Sequence, residues 1–439
     1  MLKKKMFRQI KFESLFVQFL IGLLINLSYL LILIFMKKFI FHDLYIYYYK
    51  VESDFNSYVI PAKNFLTHGF FCGYFRTIGY PFILAIMMKL FNGHWLFFTA
   101  LAQAILAAVI YPCISYIAMV FFPSNKSLIK ILFVITLISG TYFLSLPLIL
   151  TDLPFAVFLL IGICFSVLAI KKQNWIYLLL QLFFLGIATQ VRPLLMVYPI
   201  INFFLLITIA GKNQILDKSK ILIIVSTIAL IPICLAPSIR NYVYYGLFKP
   251  SFVLDYNLTC LAGQVLEEEK GINFREQYAG KLLEIEPVTE KIKAMHDFAY
   301  PVFAAYPITT VKYIIYHVLN ISIQTSYIQI AHFGNYHWRN VPQFGIKTNI
   351  FIQTIFIIGA IYYFIIYLFF ILALFDLFIK KEFLCLITIF LFLLFLFSPA
   401  FISGGGFRMR MPVEWLINIF AVNQMITCYF KWFSKKLIV

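Results

Sequence analysis

Charged and hydroxyl-bearing side chains are concentrated between Glu52 and Pro81, in the stretch ESDFNSYVIPAKNFLTHGFFCGYFRTIGYP, which separates two long apolar runs. Asp54 offers a carboxylate that could accept the proton of an attacking hydroxyl group. Arg76, just before a Gly-Tyr-Pro turn, offers a planar fork of donors that suits phosphate oxygens. These residue types point to a site that holds a phosphate group and an attacking hydroxyl group at a membrane surface.

Three more residues of this stretch are candidates for the same cavity. Tyr58 lies one helical turn beyond Asp54, and Lys63 lies two to three turns beyond it. Tyr80 belongs to the Gly-Tyr-Pro turn that follows Arg76. We expect Tyr58, Lys63 and Tyr80 to help position the substrate.

The composition identifies the class of protein. Hydrophobic residues make up 62% of the 439 residues and charged residues only 12%, whereas about a quarter of the residues of a soluble domain are charged. The net charge of +18 comes mostly from short Lys and Arg clusters that flank apolar runs, a pattern typical of topology signals and lipid contacts. We therefore expect an integral membrane protein in contact with lipid, and no nucleic-acid partner.

Apolar runs near 20 residues, the length that spans a bilayer of about 30 Å, indicate an all-α polytopic protein with about ten transmembrane helices. They cover residues 15–36, 95–122, 129–148, 154–170, 175–189, 194–210, 221–237, 349–378, 383–401 and 412–430. We divide the chain into an N-terminal transmembrane module (1–238) with a catalytic first outer loop (37–94), an outer segment with interfacial helices (239–348), and C-terminal transmembrane helices (349–439).

The distribution of Lys and Arg over the short loops predicts which side each loop faces. With a cytoplasmic N-terminus, every short loop that is rich in lysine lies inside, and both long segments lie outside. This topology brings residues from distant parts of the chain to one outer face of the membrane. They are Asp54, Arg76, Asp152, Arg192, Arg240, Arg408 and Arg410. Such a group suits a phosphate-bearing amphiphile together with acid–base chemistry.

Six short motifs in this order resemble those of the GT-C superfamily of polyprenyl-phosphate-sugar glycosyltransferases. This superfamily includes the protein O-mannosyltransferases and bacterial enzymes that modify lipid A, such as aminoarabinose transferases. The motifs are ESDFNSYVIPAKNFL, RTIGYPFILAIMMKLF, SLPLILTDLPF, GIATQVRPLLMVYP, APSIRNYVYYGLFKP and GGGFRMRMPVEWL. Together they run from Asp54 to Pro412. The resemblance implies a GT-C-like helix bundle with juxtamembrane helices at its outer face.

The resemblance also implies roles for the residues that match these motifs. Asp54 would be the base of an inverting glycosyl transfer, and Asp152 would orient the acceptor or an arginine. Arg76, Arg240, Arg408 and Arg410 would hold the phosphate of the lipid donor, and Arg192 would position substrate. The implied activity is that of a membrane glycosyltransferase that moves a hexose or pentose from a polyprenyl phosphate to a hydroxyl group.

The partners follow from this interpretation, but alternatives stay open. The donor would be a polyprenyl-phosphate-linked sugar, and the acceptor a lipid, a glycan or a protein. No cofactor is required, and a divalent metal remains open because no metal-ligand spacing stands out. We expect a bacterial inner membrane, with the active site facing the periplasm. A flippase of a lipid-linked saccharide, or an O-antigen-type polymerase or ligase, is the alternative.

Overall fold

The structure, a computed structural model, describes residues 12–39, 53–69, 71, 76–123, 125–148, 150–323, 350–397 and 409–436. Within these residues the secondary structure is helical, without a β-strand. The fold is therefore the all-α polytopic membrane protein that the sequence predicts. The other residues lie outside the described part of the chain.

The helices of the first half are numbered in chain order. They are α1 (Phe12–Phe39), α2 (Ser53–His68), α3 (Gly79–Phe91), α4 (Trp95–Phe121), α5 (Lys126–Ser139), α6 (Asp152–Lys172), α7 (Trp175–Val191), α8 (Tyr198–Lys212) and α9 (Leu216–Tyr245). A single 3-10 turn, Asn92–His94, joins α3 to α4. Another 3-10 turn, Pro193–Val197, leads from α7 into α8.

The second half contains a group of shorter helices followed by long apolar ones. They are α10 (Val253–Lys270), α11 (Gly280–Glu284), α12 (Val288–Ala305), α13 (Pro307–Ile323), α14 (Ile350–Ile379), α15 (Phe383–Phe397) and α16 (Met411–Lys436). The helix α9 continues through the predicted boundary at residue 238 and ends at Tyr245, where Gly246 adopts a positive φ of 72°.

Each of the ten predicted apolar runs overlaps a helix of the structure. The run 129–148 was predicted too long, because α5 ends at Ser139, where Gly140 adopts a positive φ of 66°. In the described residues, seven helical stretches are long and apolar enough to cross a membrane. Two further apolar helices, α7 and most of α15, are shorter. The helix α16 carries the last predicted run. Every residue from Met411 to Val422 is buried, and the helix packs against α4, α5, α6, α14 and α15.

The helices α10 to α13 form a separate small unit with its own apolar contacts. Ala262 and Val265 of α10 pack with Ala299 and Val302 of α12 in a buried cluster. The helices α12 and α13 meet at a bend of 104°. This unit occupies most of the predicted outer segment, and it touches the bundle where α13 contacts α14.

One end of the bundle is joined by polar contacts between short loops. The Lys212 amine lies 2.6 Å from a Glu382 carboxylate oxygen. Asn125 Nδ2 donates a hydrogen bond of 3.2 Å to Asn423 Oδ1. Lys212 and Glu382 belong to two of the lysine-rich connections that we predict to be cytoplasmic. Asp152 lies at the end of α6 opposite to Lys171 and Lys172.

Candidate active site

Five chain segments meet at the end of the bundle opposite to the lysine-rich loops. The helix α6 begins there with Asp152, and α7 ends there just before Arg192. The Thr77 hydroxyl, in the turn before α3, donates a hydrogen bond of 3.2 Å to the Val191 carbonyl oxygen. The helix α2 and the residues that precede α16 complete the group. We refer to this region as the candidate site.

An ion pair between Asp152 and Arg192 lies at the centre of the candidate site. Arg192 Nη1 donates to Asp152 Oδ1, and the two side chains are 17% and 9% exposed. Asp152 is the first residue of α6, where the partial positive charge of a helix start favours a carboxylate. Arg192 is extended and precedes Pro193, as expected because the residue before a proline avoids the helical conformation.

The Arg192 guanidinium has two further neighbours in the candidate site. Nη2 lies 2.9 Å from the Met409 sulfur, and the guanidinium carbon is 6.0 Å from the centre of the Phe155 ring. Arg192 therefore links the starts of α6 and α16 to the end of α7. Asp152 also lines a narrow cleft. Its walls are Ser145, Leu148, Leu150, Asp152, Leu153 and Met411.

The turn before α3 places Arg76 against the helix α2. Arg76 Nε donates a hydrogen bond of 3.0 Å to Ser57 Oγ. The guanidinium carbon lies 4.6 Å from the centre of the Tyr58 ring, a distance at which a cation is attracted to the ring face. Arg76 remains partly exposed. The side chain is thus oriented by α2 while part of it stays accessible.

Tyr58 and Tyr80 connect the Arg76 region to the Asp152 region. The Tyr58 and Thr151 hydroxyls are 3.1 Å apart, so Tyr58 contacts the residue next to Asp152. The Tyr58 and Tyr80 rings meet edge to face at 5.3 Å. The Tyr80 hydroxyl donates a hydrogen bond of 3.1 Å to Gln103 Oε1. Both tyrosines are buried, and their place is between helices rather than in an open cavity.

Asp54 lies in the first turn of α2, one helical turn before Tyr58. Its side chain is outside the described part of the structure. Lys63 is exposed on the same helix. Five residues separate Lys63 from Tyr58, which corresponds to about 140° around a helix, so the structure does not bring Lys63 to the Tyr58 face. Arg240 is partly exposed near the end of α9.

Arg408 lies outside the described residues, whereas Arg410 is fully buried. Arg410 Nε donates to Glu414 Oε2 at 3.1 Å. Arg410 Nη1 donates to the carbonyl oxygens of Ile321 and Ser322, at 2.6 and 3.1 Å. Glu414 is a site residue that we did not predict, although its spacing of four residues from Arg410 is the spacing of paired charges on one helix face. Among the described residues, no group of three or more His, Cys, Asp or Glu side chains could hold a metal ion.

Gly79 allows the turn that carries Arg76 to pack directly on the end of α7. A Cβ atom at Gly79 would lie 2.5 Å from the backbone carbon and oxygen of Gln190. We expect Gly79→Ala to push the turn away from Arg192 and to lower sugar transfer about tenfold or more, because a small displacement at an active site is costly.

The measurement is transfer by membranes with matched protein amounts. Gly186→Ala is the control, because a Cβ atom at Gly186 would meet its nearest neighbour, the Ile233 side chain, at 3.5 Å, an ordinary contact distance. Wild-type transfer by both Gly79→Ala and Gly186→Ala would show that the site tolerates displacement of the turn.

Comparison with known proteins adds evidence for one part of the chain. No curated protein and no solved structure gives a significant match, so the GT-C-like arrangement of the helices stays a prediction. The matched family model begins at Arg76 and includes Asp152 and Arg192, whereas Asp54, Arg240 and Arg410 lie outside it. Residues 76–237 match the family of dolichyl-phosphate-mannose-protein mannosyltransferases, a GT-C glycosyltransferase family, which confirms the resemblance seen in the sequence.

Proposed function

We propose that the protein transfers a sugar from a polyprenyl-phosphate donor to an acceptor hydroxyl group at the outer face of the membrane. The family match supports a GT-C glycosyltransferase that uses a polyprenyl-phosphate sugar. The observation that carries the proposal is the meeting of Arg76, Asp152 and Arg192 at one end of the bundle. Asp152 lies at the end of α6 opposite to Lys171 and Lys172, which favours an outer location for the site if short lysine-rich loops are cytoplasmic.

In the proposed reaction Asp54 acts as the general base. The acceptor oxygen attacks the anomeric carbon and forms the new glycosidic bond while its proton moves to the Asp54 carboxylate. The bond between the anomeric carbon and the phosphate oxygen breaks on the opposite side, so the configuration inverts and polyprenyl phosphate leaves. General-base assistance of this type contributes about 10²–10⁴-fold.

The arginines would stabilise the negative charge that the leaving phosphate carries. Arg76 is partly exposed and is oriented by Ser57 and Tyr58, so a phosphate group could approach the exposed part of its guanidinium. Arg240 and Arg408 are further candidates for phosphate contacts. Asp152 holds the guanidinium group of Arg192 through a hydrogen bond. This pair would position the acceptor or the donor headgroup.

The acceptor and the membrane belong to the proposal in general terms. The acceptor is a hydroxyl group of a lipid, a glycan or a protein. The membrane is the inner membrane of a bacterium, with the candidate site facing the periplasm. No cofactor is needed, because the sugar is already activated by its link to the lipid phosphate.

The first experiment measures transfer of radiolabelled sugar from a panel of hexosyl and pentosyl polyprenyl phosphates by membranes that contain the protein. We expect transfer from at least one lipid donor and none from the matching nucleotide sugars. Arg76→Ala should raise the KM for the donor about tenfold, because a hydrogen bond to a charged group contributes roughly 1.5–3 kcal/mol and 1.4 kcal/mol is a factor of ten.

The control for Arg76→Ala is Lys89→Ala. Lys89 is an exposed cation in the last turn of the same helix that Arg76 precedes, α3. We expect the Lys89 variant to keep the donor KM of the wild type. If no lipid donor is used by the wild type across the panel, the proposed function is wrong. An unchanged donor KM in Arg76→Ala would remove Arg76 from the phosphate site.

A further inference from the structure

The end of α13 is attached to the bundle by a buried ion pair. Arg410 and Glu414 are 0% and 1% exposed, and the Nε to Oε2 distance is 3.1 Å. The Arg410 guanidinium also stacks on Tyr363 of α14, with 3.6 Å between its carbon and the ring centre. The pair therefore contacts helices α13, α14 and α16 at one point.

The Arg410 guanidinium is also bonded to the main chain of α13. Nη1 donates to the carbonyl oxygens of Ile321 and Ser322, in the last described turn of that helix. Hydrogen bonds from a charged donor are among the stronger ones in proteins. One guanidinium group thereby ties this turn of α13 to the start of α16.

The Glu414 carboxylate is hydrogen-bonded on both of its oxygens. The Thr141 hydroxyl is 2.9 Å from both carboxylate oxygens. Arg410 supplies the balancing positive charge. A buried carboxylate is tolerated when it is paired and hydrogen-bonded in this way. If Arg410 turned towards a donor phosphate, Glu414 would be left as an uncompensated buried charge.

The ion pair is one residue away from the candidate site. Met409 directly precedes Arg410, and its sulfur lies 2.9 Å from Arg192 Nη2. Arg192 in turn holds Asp152. The position of Arg410 therefore sets the position of Met409, which borders the Asp152–Arg192 pair.

We infer that Glu414 is a positioning residue: it holds Arg410 so that Arg410 fixes both the end of α13 and the Met409 edge of the candidate site. Arg410 then serves as a structural clamp rather than as a ligand of the donor phosphate. The effect on sugar transfer rests on the proposed function. The effect on α13 does not.

The test uses two variants in lipid nanodiscs. One is Glu414→Gln, and the other is a double variant that combines Arg410→Met and Glu414→Leu. In Glu414→Gln we expect the amides of residues 318–323 to exchange hydrogen about tenfold faster, because the last turn of α13 opens more often. We expect sugar transfer to fall at least about thirtyfold, because Met409 and Arg192 lose their placement.

The double variant separates positioning from general stability. Replacing a buried ion pair by apolar residues of similar volume often preserves stability, so its melting temperature should lie within about 2 °C of wild type. We nevertheless expect the amides of residues 318–323 to exchange as fast as in Glu414→Gln, and sugar transfer to stay as low as in that variant. Wild-type transfer by the double variant, at a wild-type melting temperature, would overturn the inference. Amide exchange and sugar transfer at wild-type rates in Glu414→Gln would also overturn it.

A matched control uses a second ion pair of α13. Lys312 of α13 pairs with Glu268 of α10, and the Lys312 side chain is 65% exposed. Exposed pairs contribute little to stability, so Lys312→Ala should leave exchange at residues 318–323 unchanged. If wild-type protein transfers no sugar from any donor, the proposed function fails while the exchange data still decide whether the clamp exists.

Discussion

Replacement of Asp54 by asparagine is expected to lower sugar transfer at least about a hundredfold, which corresponds to roughly 2.7 kcal/mol in the activation barrier. Asparagine keeps the shape of the side chain but cannot accept the proton of the attacking hydroxyl group. Asp54 lies in the first turn of the helix whose next turn carries Ser57 and Tyr58, the contacts of Arg76 and Thr151. Because asparagine matches aspartate in size, we expect the helix itself to be retained in the variant.

The measurement for Asp54→Asn is kcat for release of polyprenyl phosphate at saturating donor. The control is Asp217→Asn, the same chemical change in the first turn of α9 at the opposite end of the bundle, where the side chain is 92% exposed. We expect wild-type turnover from the Asp217 variant. Turnover within about threefold of wild type in Asp54→Asn would assign the base to another residue.

Replacement of Asp152 by asparagine should also lower transfer about a hundredfold. The Asp152 carboxylate, at the start of α6, accepts a hydrogen bond from Arg192 Nη1. Both side chains of this ion pair are mostly buried. Removing one partner leaves the other charge uncompensated in a site of low polarity. We expect Arg192 to turn away from its contact with Met409, so that the acceptor or the donor headgroup is misplaced.

A double-mutant cycle tests whether Asp152 and Arg192 act as a unit. Asp152→Asn, Arg192→Gln and the double variant are compared by kcat/KM and by melting temperature. We expect the double variant to be no slower than the slower single variant, because residues that act together give strongly non-additive losses. Fully additive losses would show that the two side chains act independently.

The positions of the transmembrane helices could be predicted from the sequence because the bilayer demands about 20 apolar residues in a row. All ten predicted runs overlap helices, and the all-α polytopic class is confirmed, although the run 129–148 extends nine residues beyond the end of α5. The end of α9 was predicted too early, at Pro237, because the apolar run stops there. The helix nevertheless continues to Tyr245 with Pro237 inside it, since its remaining residues can form helix without being apolar.

The meeting of Arg76, Asp152 and Arg192 at one end of the bundle could be predicted from topology alone. Their individual contacts could not. A sequence reveals that Arg410 carries a positive charge near the membrane surface, but not that Glu414 neutralises it inside the protein. The partners of Arg410 come from α13 and α14 as well, and such tertiary contacts between distant segments leave no local pattern.

The close packing of Gly79 on Gln190 has a consequence for the specificity of the site. The turn that carries Arg76 packs against the end of α7 next to Arg192 through the Gly79 and Gln190 main chains and through the hydrogen bond from the Thr77 hydroxyl to the Val191 carbonyl. The path of the backbone therefore determines the distance between the Arg76 and Arg192 positions. Changes of surface side chains can alter the strength of the charges, but donors with a larger headgroup have to be accommodated by other walls of the site.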